Sequence, residues 1–423
     1  MAGIHRERPG ADAMAGATGD PAVDLGDGIV VSPGWSNSYA VRTDDGCVVV
    51  NTGMGFEGPL HRRAYESVGA LPASAVVLTQ GHYDHVGGVD VLRESDAPVI
   101  AQSNFTVWRD DNERLETFRS RNSAFAFMDA IIAAMDYARS VGVGAVPQAR
   151  PEPTVLVADR LELTVGGREM VLIATPGGET YDSMVVWLPD CKTLLSGNLF
   201  GPLFGHVPNL VTIRGDRYRD ALTYVSSLDV VLELAPERLL TGHFDPIVGA
   251  DRIAEETATL QAAMRAVHDQ TVTGMNAGTD VWTLMNTVAV PGHLDVGEGY
   301  GQTKWNVRAI WENYAGWFHH RSTTELFGVS PVATAGDVVD AAGADALAGA
   351  AAAHLEAGRP VHALQLTDVV LEVLPGHSDA LSVALAATEA LLAATTNFWE
   401  RAWLQRSLHT LTRRTTDAHR AGD

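Results

Sequence analysis

The stretch TQGHYDHVGG, residues 79–88, constrains this chain more than any other. It continues ASAVVLTQ, an apolar run of strand length, and its glycine pair allows the backbone to turn sharply. Inside it, His82, Asp84 and His85 crowd together. Metal ligands must offer lone pairs. A tight H-x-D-H loop can aim His82 at one ion and Asp84 with His85 at a neighbouring one. Three later segments supply what this loop lacks: Glu179 in TPGGETYDS, Asn198 in SGNLFG and His243 in TGHFDP, each following a strand-like run. Catalytic groups carried on loops at strand ends require layered α/β packing beneath them.

The hydrophobic pattern provides such layers. GIVVS, SYAVRT and GCVVVN read as short strands, followed by a helix near 58–68 and the buried strand before the metal-like loop. A helix near 88–94, the strand APVIAQ and a mostly helical insertion from about 104 to 140 come next. Strands resume with TVLVAD, LELTVGG, EMVLIATPGG, SMVVWLP and TLLSGN, then a helix near 217–228 and RLLTGHFDP. After about residue 250 the strands stop. Helices are expected at 252–273, 281–287 and 305–318, and the Ala-rich tail from 335 reads as stacked helical hairpins. The expected division is a disordered leader (1–23), a catalytic domain (24–250), a helical dimerisation domain (251–330) and a tetratricopeptide-like tail (331–423).

Charge narrows the partners. With 30 basic and 52 acidic residues the formal charge is −22, which opposes nucleic acid and anionic membranes, so an anionic substrate needs a local basic pocket. Only Cys47 and Cys191 occur, too few for a disulfide framework or a four-thiolate metal site. The leader has no apolar core of the signal-peptide kind, and no apolar run reaches bilayer length. A cytoplasmic protein without a membrane partner is expected.

In order and spacing these segments resemble the metallo-β-lactamase superfamily. HDQTVTGMNAGTD, EGYGQTKWNVRAIWENYAGWF and NLVTIRGDRYRDA resemble, more narrowly, the type III alkylsulfatases, over roughly residues 28–415. The resemblance implies an α+β fold, an αββα sandwich followed by an all-α dimerisation region in a homodimer. The sterol-carrier-like domain usual in those enzymes is expected to be absent. Carried over position by position, the resemblance implies two divalent ions, zinc first and iron as the alternative. Gln80, His82 and Glu179 would hold one; Asp84, His85 and His243 would hold the other. Asn198 stands in the place of a bridging acid, and Asn209, Thr212 and Arg214 match the residues that hold the sulfate group. Arg214 would offer a planar fork of donors to an oxyanion of a small-molecule substrate.

Three positions depart from the family pattern. Gln80 replaces His, Asn198 replaces a carboxylate, and Asn51 in VVVNTG replaces a supporting Asp. All three are amides, neutral and weaker donors than the groups they replace. The expected activity is hydrolysis of a sulfate or related ester. The alternative is a non-heme diiron monooxygenase, a hydroxylase of natural-product biosynthesis on the same scaffold, since a mixed O/N ligand set also suits iron. A metal-poor scaffold protein is disfavoured by the five ligand-type residues that remain.

Two further residues are placed near the site by sequence neighbourhood alone. His206 in LFGHVPN lies close to Asn198 and is a candidate proton donor or extra ligand; Tyr83 sits between ligands and is a candidate pocket wall. Trp305, Trp311 and Trp317 recur off a single helical face and read as core and interface anchors.

Overall fold

The computed structural model of the chain describes residues 3–422. Its first compact unit runs to Gly316 and the second starts at Trp317. Among the described residues the first unit holds a seven-stranded and a six-stranded sheet. In the larger sheet, Val23–Asp24, Ile29–Ser32, Ser38–Thr43 and Gly46–Val50 run as an antiparallel meander, and Ala73–Val77, Val99–Gln102 and Val155–Val157 add in parallel. The smaller sheet runs from Ile247–Val248 through Arg238–Thr241, Thr193–Gly197, Met184–Leu188 and Arg168–Ala174 to Arg160–Val165.

Alternation along the strands builds the layers. Val48, Val50, Ala75 and Val77 point between the sheets, where they meet Leu172, Met184, Val186 and Leu240. Their neighbours Cys47, Val49 and Val76 point the other way, onto Tyr65 of the helix Gly58–Ser67 and Leu92 of the helix Val89–Leu92. Because both faces of these strands are covered, they read as continuous apolar runs instead of alternating ones. The smaller sheet is covered on its outer face by the helices Ala221–Leu234 and Ala250–Asn276, through Tyr224, Leu228, Leu260 and Met264. The order is helix, sheet, sheet, helix.

The helices after residue 250 do not begin a separate body. Ala250–Asn276, Val281–Thr287 and Thr303–Ala315 share the core of the smaller sheet, with Ile253, Leu284 and Ile310 buried in it. The chain therefore divides at 316–317, not at the expected 250–251, because the apolar stripe of the 250–276 helix is needed to cover the sheet. In the second unit, helices Ala344–Glu356, Pro360–Val373, Ser378–Ala394 and Phe398–Gly422 pack in sequence order, with Ala348, Ala351, Ala363, Ala380 and Ala384 allowing close approach. No described helix is long and apolar enough to cross a membrane.

The leader, expected to be disordered, is folded from residue 3 onward; residues 1 and 2 fall outside the described chain. Ile4, Ala11 and Ala17 are buried. Distant carboxylates take up its backbone N–H groups: Gly3 donates to Asp295 at 2.9 Å, Ile4 to Glu256 at 2.9 Å and Ala17 to Glu57 at 2.8 Å. Small residues let the segment lie flat. These long-range acceptors, invisible in the leader's own composition, offset its ordering cost.

Glu57 has a second task. Its buried carboxylate also accepts from the N–H groups of Trp35 (2.7 Å) and Met54 (2.8 Å), joining three separate segments that border the cavity described below. Burial pushes its carboxyl up from the ordinary 4.5 to about 7, against the pull of those three donors. The folded chain thus retains a proton that the unfolded chain releases above about pH 4.5, so stability should fall as pH rises from about 5 to 7. Glu57→Gln removes that slope and leaves one N–H facing an amide NH2, costing about 1–3 kcal/mol. Urea titrations at pH 5 and pH 7.5 check this; parallel pH dependence in both proteins would contradict it.

Candidate metal centre

Four strand ends of the two sheets deliver the site. Thr79 leaves the strand Ala73–Val77 with its N–H and hydroxyl both donating to Asn51 Oδ1 at 3.0 Å. Asn51 itself adopts φ 60°, a left-handed conformation that Asn tolerates better than most residues. Only an acceptor oxygen is needed here, so an amide serves where a carboxylate was expected. The backbone then passes through Gly81, where a Cβ would fall 2.2 Å from Trp108 Cδ1. A four-residue helical turn, Tyr83–Val86, brings Asp84 and His85 inward, and the Ser36 hydroxyl donates to the Asp84 carbonyl.

Glu179 and Asn198 follow the strands Arg168–Ala174 and Thr193–Gly197, and His243 follows Arg238–Thr241. Gly242 is required beside them, since a Cβ there would lie 2.0 Å from Asn198 Oδ1. Asp84, His85 and His243 each present a ligand atom, all within 4.8 Å of one another. Asp84 Oδ2 stands 3.7 Å from His85 Nε2 and 3.9 Å from His243 Nε2. His243 Nδ1 donates to the Trp35 carbonyl at 2.7 Å, so the lone pair of its Nε2 faces the cluster, where the Asn198 NH2 approaches it at 3.1 Å. His85 is fully buried, yet neither of its ring nitrogens has a hydrogen-bond partner among the described residues.

Electrostatics agree with a cation site. Burial opposes ionisation of Asp84, but His85, His243 and His82 outweigh it and hold the carboxyl below its ordinary value. Burial brings His85 down to about 4, so it is a neutral lone-pair donor. A carboxylate, the neutral His85 with its two orphaned buried nitrogens, and His243 Nε2 turned inward fit a divalent ion in chemistry and number.

The other expected ligand set is arranged differently. His82 Nδ1 lies 2.8 Å from Gln80 Nε2 and 3.5 Å from Glu179 Oε2, while Arg214 Nη2 donates to His82 Nε2 at 3.1 Å. The Asn198 amide NH2 donates to Glu179 Oε2 (2.7 Å) and reaches His243 Nε2 (3.1 Å). Burial opposes ionisation of Glu179, but His82, Arg219 and Arg214 hold it well below its ordinary value.

Both groups open into a cavity of about 280 Å³. Ala124, Phe127, Met128 and Ile131 form one wall, at the 3–4 spacing of a single face of the helix Glu116–Ser140. Trp35 meets Phe127 edge-on at 6.0 Å, and Trp108 meets His82 at 5.2 Å. Arg214 lines the polar end, its Nε bonded to Asp216 at 2.9 Å. Arg119 and Arg219 also approach Asp216, at 3.5 and 3.7 Å. Burial opposes ionisation of Asp216, yet the arginines bring it down to about 2. Arg214 and Arg119 thus place two cations on a cavity wall that also carries Asp84, Glu116, Glu179 and Asp216.

Not every expected site residue is there. Tyr83 does border the cavity. Thr212 acts on Arg214 through its hydroxyl, which accepts from the Arg214 N–H at 3.1 Å. Asn209 is buried outside the cavity lining, its carbonyl taken by Arg219. His206 lies elsewhere: Gly299 N–H donates to its Nδ1 at 2.8 Å and His5 packs edge-on against it. Eight residues beyond Asn198, the loop has already turned toward the 297–299 segment, so sequence proximity misplaced His206. Residues that sequence reasoning missed are Trp35, Glu57 and Asp216. Only Asp216 carried a signal, two places after Arg214 in IRGD.

The chain matches the family description "Metallo-beta-lactamase superfamily" over residues 31–243 and "Alkyl sulfatase dimerisation" over 284–413. A linear primary-alkylsulfatase of Pseudomonas sp. is 27% identical, over 66% of this chain and 55% of the relative. An alkyl/aryl-sulfatase of Saccharomyces cerevisiae is 24% identical, over 79% and 54%. An (R)-specific secondary-alkylsulfatase of Pseudomonas sp. is 26% identical, over 79% and 53%. The chain thus spans about half the length of these curated relatives. The solved structure of a stereoselective inverting sec-alkylsulfatase from Pseudomonas sp. superposes with a TM-score of 0.81 at 23% identity, covering 93% of this chain and 66% of that one.

Proposed function

We propose that this protein, which belongs to the metallo-β-lactamase superfamily, is a metal-dependent hydrolase of sulfate esters carrying an apolar organic group. The observation that carries the reading is the Asp84, His85 and His243 cluster opening into the cavity that also holds Arg214. When bound, a divalent ion, zinc in this proposal, supplies Lewis-acid polarisation and stabilises developing negative charge.

The chain's own residues do the rest. Arg214 binds the anionic group, oriented by its bond to Asp216. The Trp35 carbonyl keeps His243 in the tautomer that offers Nε2. Phe127, Met128 and Ile131 take up the organic group and exclude water. A cytoplasmic homodimer assembled through the 284–413 region belongs to the same proposal.

The test is release of inorganic sulfate from a panel of primary and secondary alkyl sulfates, with the metal content of the same preparation measured. Sulfate release that is lost on chelation and restored by zinc is the expected result. Two irons with substrate-dependent oxygen uptake would replace the hydrolase by the monooxygenase. No release from any sulfate ester would overturn the substrate class.

A further inference from the structure

We infer that this chain holds a single metal ion, at Asp84, His85 and His243, and that the neighbouring half-site of Gln80, His82 and Glu179 is a hydrogen-bonded network instead of a second metal site. The inference rests on the metal-enzyme reading above and concerns how many ions that site takes.

The tautomer of His82 decides it. A guanidinium can only donate, so the 3.1 Å contact from Arg214 Nη2 makes His82 Nε2 an acceptor. A neutral imidazole accepts at one nitrogen and carries its proton on the other. The proton is therefore on Nδ1, the atom that faces Gln80 and Glu179. A nitrogen bearing a proton has no lone pair for a metal. In a metal-ligating histidine the arrangement is the reverse, with the remote nitrogen donating to an acceptor, as His243 does to the Trp35 carbonyl.

The amides fit the same assignment. With Nδ1–H as donor, the Gln80 amide is assigned with Oε1 in the 2.8 Å position, an exchange of amide oxygen and nitrogen that the heavy-atom positions permit. Asn198 completes the network. Its NH2 donates to Glu179 Oε2 from between the two half-sites, where a carboxylate would instead repel Glu179 unless a second cation lay between them. The two half-sites thus contrast in where lone pairs point: His85 has both nitrogens unpartnered and His243 turns the lone pair of Nε2 into the cluster, whereas His82 spends its lone pair on Arg214.

Metal counting tests this. The full chain is equilibrated with excess zinc, exchanged into metal-free buffer and measured by plasma mass spectrometry, with zinc titration calorimetry alongside. One equivalent per chain is expected, with any second bound about 10–100-fold more weakly, the scale of disturbing a ligand's supporting hydrogen bonds. The pair Gln80→His with Asn198→Asp should raise the retained count to two. Two equivalents of similar affinity in the unaltered chain would overturn the inference, while none at all would overturn the metal-enzyme reading itself. Should the double variant fail to fold, the count on the unaltered chain decides.

Discussion

His243→Ala is expected to empty the metal centre and lower kcat/KM by roughly a thousandfold, because Lewis-acid assistance is worth several kcal/mol and each 1.4 kcal/mol is a factor of ten. His243 supplies one of the three ligand atoms that lie within 4.8 Å of each other, and its loss leaves Asp84 and His85 as the pair. Two ligands fall short of the three that a catalytic site of this kind uses. Asp84→Ala should match it in activity for a further reason: besides leaving two ligands, it removes the one carboxylate that balances the charge of the ion. The measurements are metal content and initial rate on one preparation, with circular dichroism as the folding control. A folded His243→Ala protein that keeps its metal and a rate within twofold of the parent would refute the assignment.

Much of the layered fold is legible in the sequence because alternation and apolar runs are local signals. Ala73–Val77, Val99–Gln102 and Met184–Leu188 fall within the runs read as strands, since burial on both faces leaves few polar interruptions. Boundaries slipped where local pattern was weak. The helix expected near 217–228 spans Ala221–Leu234, because Asp220 caps it by accepting from the Thr223 N–H. Val23–Asp24 and Ile247–Val248 are two-residue edge strands fixed by pairing with Val31 and Leu239, and nothing within two residues announces such a partner.

At the site, the residues on tight loops were legible and their supports were not. H-x-D-H shows itself by composition, as do Glu179 and His243 after their strands. The role of Trp35 is invisible in this way because a backbone carbonyl acts, and any residue supplies one. Glu57 stands just before a helix, where acids are common, and only its three N–H donors, from residues 17, 35 and 54, reveal it as a clamp. The apolar wall was present in the sequence as Ala124, Phe127, Met128 and Ile131, but the same spacing describes a helix packed against a core. What distinguishes them is the cavity itself.

Arg214→Ala is expected to weaken substrate binding by about 10–100-fold, since a charge-assisted hydrogen bond is worth about 1.5–3 kcal/mol. The effect should fall chiefly on KM, with kcat changing less, if the guanidinium grips the anionic group equally in ground and transition states. Arg214→Lys separates charge from shape: one ammonium keeps the positive charge but cannot bridge Asp216 and an oxyanion through a planar fork. It should recover part of the binding, and less for a sulfate ester than for free chloride or another spherical anion used as an inhibitor. Asp216 provides the internal control. Removing Arg214 leaves it with Arg119 and Arg219, at 3.5 and 3.7 Å, so its charge stays compensated and the fold should survive. An Arg214→Ala enzyme with unchanged KM across the alkyl sulfates would move the anion seat away from Arg214, leaving Arg119, which also lines the cavity, as the cation to replace next.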